Sequence, residues 1–186
     1  MNLKKSMLAS LSVAVLAAST LSAHAQKDPD VGGAAMYPTK TIVQNAVNSP
    51  IHTTLVAAVK AAGLVDTLNS PGPFTVFAPT NDAFNKLPAG TVDTLVKPEN
   101  KDTLTNILTY HVVPGRISSK ELVKLIKKGG GKYTAKTVQG EELTFTAANN
   151  MITITDAKGG TAMVTTADVF QSNGVIHVID TVLMPN

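Results

Sequence analysis

The first half of the chain carries hydrophobic residues at the spacing of α-helices. Residues 41–48 have one apolar face, and Ser49-Pro50 is typical of a helix cap followed by proline in the first turn. A second helix is therefore predicted from there to Gly63. A further helix is predicted at 81–87, with Thr80 or Asn81 as its cap. Another is predicted from the apolar face formed by Leu104, Ile107, Leu108 and His111. A third is predicted to follow Ser118, which would cap it.

The second half changes to the alternation of β-strands. Phe74–Phe77 is a short β-prone run that Pro79 ends, and Asn149-Asn150 predicts a hairpin turn because asparagine tolerates positive φ. The run 175–184 is apolar at successive positions, which is typical of a strand buried on both faces. Strands are also predicted at 132–138, 143–147, 152–155 and 161–166. This order, with helices first and antiparallel strands later, predicts an α+β fold and not an α/β fold built on a parallel sheet.

The N-terminal residues have the pattern of a secretory signal. Lys4 and Lys5 precede an apolar run, and Ala23-His24-Ala25 is a small-x-small cleavage pattern, so residues 1–25 are predicted to be a signal peptide. The rival interpretation, a retained membrane anchor, needs ~20 apolar residues, more than this serine-interrupted run offers. A secreted or periplasmic protein without stable membrane insertion is expected. Residues 26–38 are predicted to be a flexible arm, and 39–186 the folded domain.

Composition removes several classes of function. The chain has 16 basic and 13 acidic residues, but two of the lysines lie in the predicted signal peptide, which leaves 14 against 13, a net charge of +1. Nucleic-acid binding is not expected, because it depends on many Lys and Arg side chains placed on phosphates. The chain has no cysteine, which excludes disulfides and thiol chemistry, and no tryptophan.

Three segments, in order, resemble the signatures of fasciclin domains. They are the run from Phe74 to Phe84 (FTVFAPTNDAF), the run from Tyr110 to Gly115 (YHVVPG), and the run from Asn173 to Asp180 (NGVIHVID) with the trailing Leu183-Met184-Pro185. Each segment alone would be a weak signal. Their common order and spacing extend the resemblance over roughly 39–186, nearly the whole chain after the predicted signal peptide.

The resemblance implies both a fold and a role. The fold is α+β, an antiparallel β-sandwich wedge with helices packed around it. The role is a secreted, non-enzymatic interaction module in cell adhesion or extracellular-matrix binding, whose partner is a cell-surface or matrix protein or a polysaccharide. By this resemblance, candidate binding residues are Tyr110 and His111 of the Tyr-His segment and Asp168 and Val169 shortly before the last signature. Their apolar neighbours are equally consistent with a purely structural role in the core.

The histidines are predicted to be structural. His52, His111 and His177 show no metal-binding spacing, so no metal and no cofactor is expected. His111 is predicted to be a buried imidazole that bonds to groups near Asn81 and Asp82, because buried polar groups are normally paired. His177 is interpreted in the same way, and His52 is predicted to be solvated.

No catalytic pattern is present in the sequence. There is no Gly-x-Ser-x-Gly turn, and the glycines 129–131 follow a helix, at the end that does not attract anions. Two alternatives remain open. A small-ligand or lipid carrier would require an apolar pocket between sheet and helices. A secreted hydrolase would require a serine or aspartate paired with His111 in an open cleft.

One charged cluster stands out after the helix that Ser118 caps. Its lysines, which could meet an anionic polysaccharide or lipid headgroup, are Lys124, Lys127, Lys128 and Lys132. The favoured interpretation is plainer: cations at a helix C-terminus complement the helix dipole and aid solubility.

Overall fold

A computed structural model of the protein describes residues 29–149 and 151–186. The predicted signal peptide, residues 1–25, lies outside the described residues, as does Asn150 of the predicted hairpin turn. Asn149 is described and has a φ of 51°, the left-handed conformation for which the turn was predicted.

Helices account for about half of the described residues before residue 130. Their bounds are α1 Ile42–Ala46, α2 Thr53–Ala62, α3 Val65–Asn69, α4 Asn81–Asn85, α5 Thr91–Leu95, α6 Lys101–Tyr110 and α7 Ser119–Lys128, with a short 3₁₀ turn at Pro98–Asn100. The spacing of apolar residues predicted most of them, but not α3 or α5. Thr80 and Ser118 cap α4 and α7 by accepting hydrogen bonds from Ala83 N–H and Glu121 N–H. Gly63 ends α2 in the left-handed conformation, as predicted.

The strands form one large mixed sheet and a small hairpin. The hairpin consists of β1 Asp30–Val31 and β2 Ala34–Ala35; the other strands are β3 Phe74–Pro79, β4 Val112–Pro114, β5 Lys132–Lys136, β6 Glu142–Ala148, β7 Met151–Thr155, β8 Thr161–Gln171 and β9 Gly174–Ile179. In the seven-stranded sheet the order is β4-β3-β9-β8-β7-β6-β5, and only the β3–β9 pair is parallel. The Val138 N–H donates to the Val112 carbonyl at 2.8 Å, so the sheet nearly closes on itself.

Two hydrophobic cores lie on opposite sides of the central strands β3 and β9. Val76 and Val178 point into the first core, against helices α1, α2 and α6, whereas Phe77 and Ile179 point into the second. The second core fills the space between α7 and the inner face of β5–β8 and includes Phe145, whose ring centroid is 5.4 Å from that of Phe77. Both faces of β9 are therefore buried, as predicted from the apolar residues on both of its faces.

Several predicted boundaries are wrong. Helix α2 begins at Thr53, not after Ser49, because the Ser49 hydroxyl bonds to the His52 ring instead of capping a helix. The described part of the predicted arm is ordered: residues 30–35 form the hairpin, and Val31 and Met36 are buried in the first core, so the fold begins before residue 39. Strand β8 continues five residues past Thr166, because two register shifts against β9 hide its alternation.

Candidate functional site

The Tyr-His segment lies in the interior. Tyr110 ends α6 with no exposed side-chain surface, and its hydroxyl donates to the Glu142 carbonyl at 3.0 Å while accepting from Ala157 N–H at 2.9 Å. Burial raises the pKa of this hydroxyl, so it stays protonated. Tyr110 thereby ties the end of α6 to strand β6 and to the loop after β7.

His111 is fixed as a neutral ring by two backbone groups. Its Nδ1 lies 2.8 Å from the Ile107 carbonyl, which can only accept, so Nδ1 carries the proton and donates. Its Nε2 accepts from Leu183 N–H at 3.0 Å. Complete burial lowers the pKa of the ring to about 4, with smaller opposing effects from Ile107 and from the charge of Asp156.

The structure confirms that His111 is buried but not the partners predicted for it. The side chain of Asn81 instead accepts from Thr54 N–H and donates to the Pro50 carbonyl, and so holds the start of α2. Because both nitrogens of His111 are occupied by backbone groups, the ring is not paired with a serine or aspartate in an open cleft. The arrangement that the hydrolase alternative requires is therefore not formed at His111.

His177 is also a buried, fully paired ring. Its Nε2 donates to the Ile117 carbonyl at 2.9 Å, and its Nδ1 accepts from Asp168 N–H at 3.3 Å. Burial lowers its pKa, and the nearby Asp168 carboxylate offsets part of the effect. The ring stacks on Phe77 with centroids 5.7 Å apart. The structural interpretation of His177 from the sequence agrees with this geometry.

Asp168 and Val169 occupy an irregular part of β8. Asp168 has a φ of 60°, a conformation that aspartate tolerates better than most residues. Its carboxylate accepts from Ser119 N–H at 2.7 Å and from the Ser119 hydroxyl, and so anchors the start of α7. Val169 is completely buried. Of the four candidate binding residues, only Asp168 reaches the surface, and its carboxylate is already engaged.

His52 is buried, so the prediction that it is solvated is wrong. Only 3% of the residue is exposed; Nδ1 lies 2.7 Å from the Ser49 hydroxyl, and no hydrogen bond of normal geometry reaches Nε2. Burial lowers its pKa, an effect only partly offset by the Ala78 carbonyl. A signal of this burial was available, since His52 precedes Leu55 and Val59 by three and seven residues and so shares their apolar helix face.

An apolar cavity of about 170 Å³ lies beside His52, in the first core. Its walls come from α1, α2 and α3 and from the inner sides of β3 and β9. His111 and Val169, two of the candidate binding residues, also line it, so the structure brings them together at a cavity instead of at the surface. The apolar pocket that the carrier alternative requires is therefore present.

The outer face of β5–β8 forms a second candidate site. The register of the four strands brings side chains into two rows, which are Thr134, Thr144, Thr155 and Thr161 in one and Lys132, Thr146, Thr153 and Met163 in the other. We call these eight residues the threonine face. Residues paired across strands point to the same side of a sheet, and neighbouring strands lie ~4.8 Å apart, so the hydroxyls are regularly spaced. Met163 is 41% exposed, and Met151, at 49%, borders the face.

The lysine cluster is divided between two surfaces. Lys124, Lys127 and Lys128 are exposed on α7, the last two in its final turn, where cations complement the helix dipole. Lys132 is exposed at the end of the threonine face. In residues 29–149 and 151–186, no three His, Asp or Glu side chains form a group that could hold a metal ion. Over the same residues, no helix is long and apolar enough to cross a lipid bilayer.

The family of the chain follows from this fold together with its matches to known proteins. The fasciclin domain model matches residues 50–185, so the chain belongs to the fasciclin family. A solved FAS1 domain pair from the insect cell adhesion molecule fasciclin I has the same fold, with a TM-score of 0.70 and 23% identity, covering 79% of this chain and 51% of that one. The α+β fold class and the resemblance of the three signatures are thereby confirmed.

Several curated proteins are more similar in sequence. Protein sll1483 of Synechocystis sp. is 49% identical over 160 residues, covering 86% of this chain and 82% of the relative. The immunogenic protein MPB70 of Mycobacterium bovis is 44% identical over 145 residues, covering 75% of this chain and 66% of the relative. The transforming growth factor-beta-induced protein ig-h3 of pig is 40% identical over 131 residues, which are 70% of this chain but only 17% of that protein.

Proposed function

We propose that this protein is a secreted, non-enzymatic interaction module that binds a cell-surface or extracellular-matrix partner through its threonine face. The observation that carries the proposal is the pair of side-chain rows across β5–β8, described above. Helix α7 packs on the opposite face of these strands, and no helix within residues 29–149 and 151–186 covers the rows. A sheet face that is not covered by another element of the fold is accessible to a binding partner.

The chemistry of the threonine face suits a flat, hydroxyl-bearing or peptide-bearing surface. Each hydroxyl both donates and accepts, and each methyl group adds apolar contact area. The exposed side chains of Met151 and Met163 are flexible and adapt to irregular partners. Lys132 is the one charge in the two rows, so contact there depends little on long-range electrostatic attraction.

The names of the matched proteins support this proposal. The matched structure comes from a cell adhesion molecule, and MPB83 of Mycobacterium bovis, which is 39% identical over 160 residues, is named a cell surface glycolipoprotein. The predicted signal peptide would deliver the chain to such a surface. A non-enzymatic role is also consistent with the pairing of His111 and His177 to backbone groups.

We propose that the four candidate residues of the Tyr-His segment and of β8 contribute to partner binding only indirectly. Tyr110 holds β6 through the Glu142 carbonyl, and Asp168 holds the start of α7. His111 and Val169 fill the interior beside them. They support the shape of the surface, and a partner would meet the side chains that they position.

The test is a pair of lysine substitutions on the threonine face. Thr144→Lys with Thr153→Lys places two cations in the middle of the rows, and binding to intact cells and to matrix extracts is expected to fall at least tenfold. A matched control is Thr67→Lys with Thr94→Lys, two exposed threonines on helices α3 and α5, which should bind like the parent protein. Protease treatment of the target surface separates a protein partner from a polysaccharide. Unchanged binding by the first pair, at an unchanged melting temperature, would contradict the proposal.

A second candidate function, carriage of a small apolar ligand, is favoured by the cavity beside His52. Apolar, concave and largely preformed pockets are the usual sites for small ligands. This candidate predicts that toluene, a small apolar probe, raises the melting temperature of the protein in a concentration-dependent way. The absence of any shift would remove it.

A further inference from the structure

The walls of the cavity are almost entirely hydrocarbon. Leu55 and Val59 of α2 face Val76 of β3 and Ile176 of β9 across it, and Met36 closes one side. An engineered cavity of about 150 Å³ with such a lining stays dry and binds benzene. The present cavity, at about 170 Å³, has room for one aromatic ring or a short alkyl chain.

One polar atom in this lining makes no hydrogen bond of normal geometry, although the Ala78 carbonyl lies near enough to the ring to oppose part of the fall in its pKa. Nε2 of His52 is the one buried side-chain nitrogen or oxygen, among the residues described, that lacks a hydrogen bond. Its ring is held in place from the other side, because Nδ1 lies 2.7 Å from the Ser49 hydroxyl. A water molecule needs two to four polar partners to be held well in a cavity, so a single nitrogen retains water poorly.

The ring is also uncharged, which limits the chemistry of an occupant. Burial disfavours the imidazolium form of His52 and so keeps the ring neutral near pH 7. A carboxylate placed beside a neutral ring would lose its hydration without gaining an opposite charge. A hydroxyl or carbonyl group loses less on burial and can pair with one nitrogen.

The cavity has a route to solvent. Val43 and Val56 are half-buried at its lining, Val47 is 48% exposed, and Lys60 is exposed two helical turns from His52 along α2. These residues mark a mouth between α1 and α2. A ligand can therefore enter without unfolding of the core, and a longer molecule could leave its tail in this mouth.

We propose that the cavity binds a small, uncharged, mainly apolar molecule with one hydroxyl or carbonyl group, which pairs with Nε2 of His52. This inference rests on the carrier function and names the ligand class that the carrier would take. Ser49 acts as a positioning residue, because its hydroxyl fixes the ring orientation. The proposal concerns binding alone and requires no bond to be made or broken in the ligand.

The experiment compares four probes of nearly equal size by NMR titration of the purified protein: toluene, p-cresol, p-tolualdehyde and p-toluate. We expect p-cresol, whose hydroxyl can donate or accept, to bind about tenfold more tightly than toluene. The aldehyde oxygen of p-tolualdehyde can only accept, so this probe should share the gain only if Nε2 carries the proton. We expect p-toluate to bind more weakly than p-cresol and toluene. His52→Leu should remove this preference while leaving toluene binding in place. Val43→Phe should narrow the mouth and weaken all four probes, whereas Val138→Phe, exposed and outside the cavity, should change none of them.

A second measurement does not depend on a variant that folds. The 15N shift of His52 Nε2 in the parent protein should change on addition of the preferred probe, because a hydrogen bond forms there, and should stay unchanged with toluene. Toluene binding without any preference among the probes would overturn the inference and leave the carrier function standing. Failure of all four probes to bind would overturn both.

Discussion

Acid is expected to destabilise this protein through its buried histidines, and His111 contributes the clearest share. In the folded state its ring is neutral, because Nδ1 donates to the Ile107 carbonyl and Nε2 accepts from Leu183 N–H. A second proton on Nε2 would face that N–H instead of an acceptor. In the unfolded chain, the same ring takes up a proton near its ordinary pKa of about 6.5.

The size of the effect follows from the two pKa values. The folded pKa of His111, about 4, lies below the unfolded value, so the unfolded state binds more protons below pH 6.5. The stability that the neutral ring contributes is therefore fully present above pH 6.5 and is lost as the pH falls towards 4. Between pH 7 and pH 5, the loss from His111 alone is about 2 kcal/mol, a large part of the 5–15 kcal/mol that holds a typical domain folded. His52 and His177 change stability in the same direction, since burial lowers their pKa values too.

Urea unfolding of the parent protein and of His111→Gln at pH 7, 6 and 5 measures this share. Glutamine retains one donor and one acceptor but does not titrate, so the variant should lose about 2 kcal/mol less than the parent between pH 7 and pH 5, whatever its stability at pH 7. Asp180 does not obscure this window, because its pKa lies below its usual value and its contribution is lost only at lower pH. Parallel curves for the two proteins would refute the reasoning. An NMR titration that shows His111 protonated at pH 5 in the folded protein would refute it independently.

Three further substitutions test the scaffold by thermal and urea unfolding. Asp168→Ala removes both hydrogen bonds to Ser119 and places alanine at a φ of 60°, so the free energy of unfolding is expected to fall by about 2 kcal/mol. The control Asp93→Ala changes an exposed residue and should lower it by less than about 0.5 kcal/mol. Tyr110→Phe leaves the Glu142 carbonyl and Ala157 N–H without their partner and should cost about 1–3 kcal/mol; no loss would mean that water replaces the hydroxyl. Gly174→Ala would place its Cβ 2.2 Å from the Phe74 carbonyl oxygen, so more than about 4 kcal/mol is expected, and a fully stable variant would show that β3 and β9 can separate locally.

Much of the fold could be predicted because local signals agreed with the tertiary structure. The apolar face of α6, the Ser118 cap and the alternation in β6 and β7 are each set by residues close in sequence. The predictions were wrong where the local structure depends on contacts with residues distant in sequence. The hairpin at residues 30–35 is a turn-rich sequence whose order depends on Val31 and Met36 reaching the first core. The end of β8 is irregular, and only its pairing with β9 makes it a strand.

The candidate sites were less predictable for the same reason. Alternating threonines at 144, 146, 153 and 155 are visible in the sequence, but their alignment into rows depends on the strand register. The cavity has no sequence signal of its own, because α1, α2, α3, β3 and β9 surround a volume that none of them specifies alone. The burial of His52 was predictable from its helical spacing, whereas the lack of a normal hydrogen bond at Nε2 was not.

The parallel pairing of β3 with β9 sets an order of events for synthesis and export. Phe74 pairs with Gly174 and Pro79 with Ile179, so each contact in this pair spans 100 residues. A chain that emerges from its N-terminus cannot complete the middle of its sheet until residue 179 is available. If the predicted signal peptide directs export, the polypeptide would stay unfolded enough to pass through a translocation pore until almost its whole length has crossed. Folding would then be completed after export.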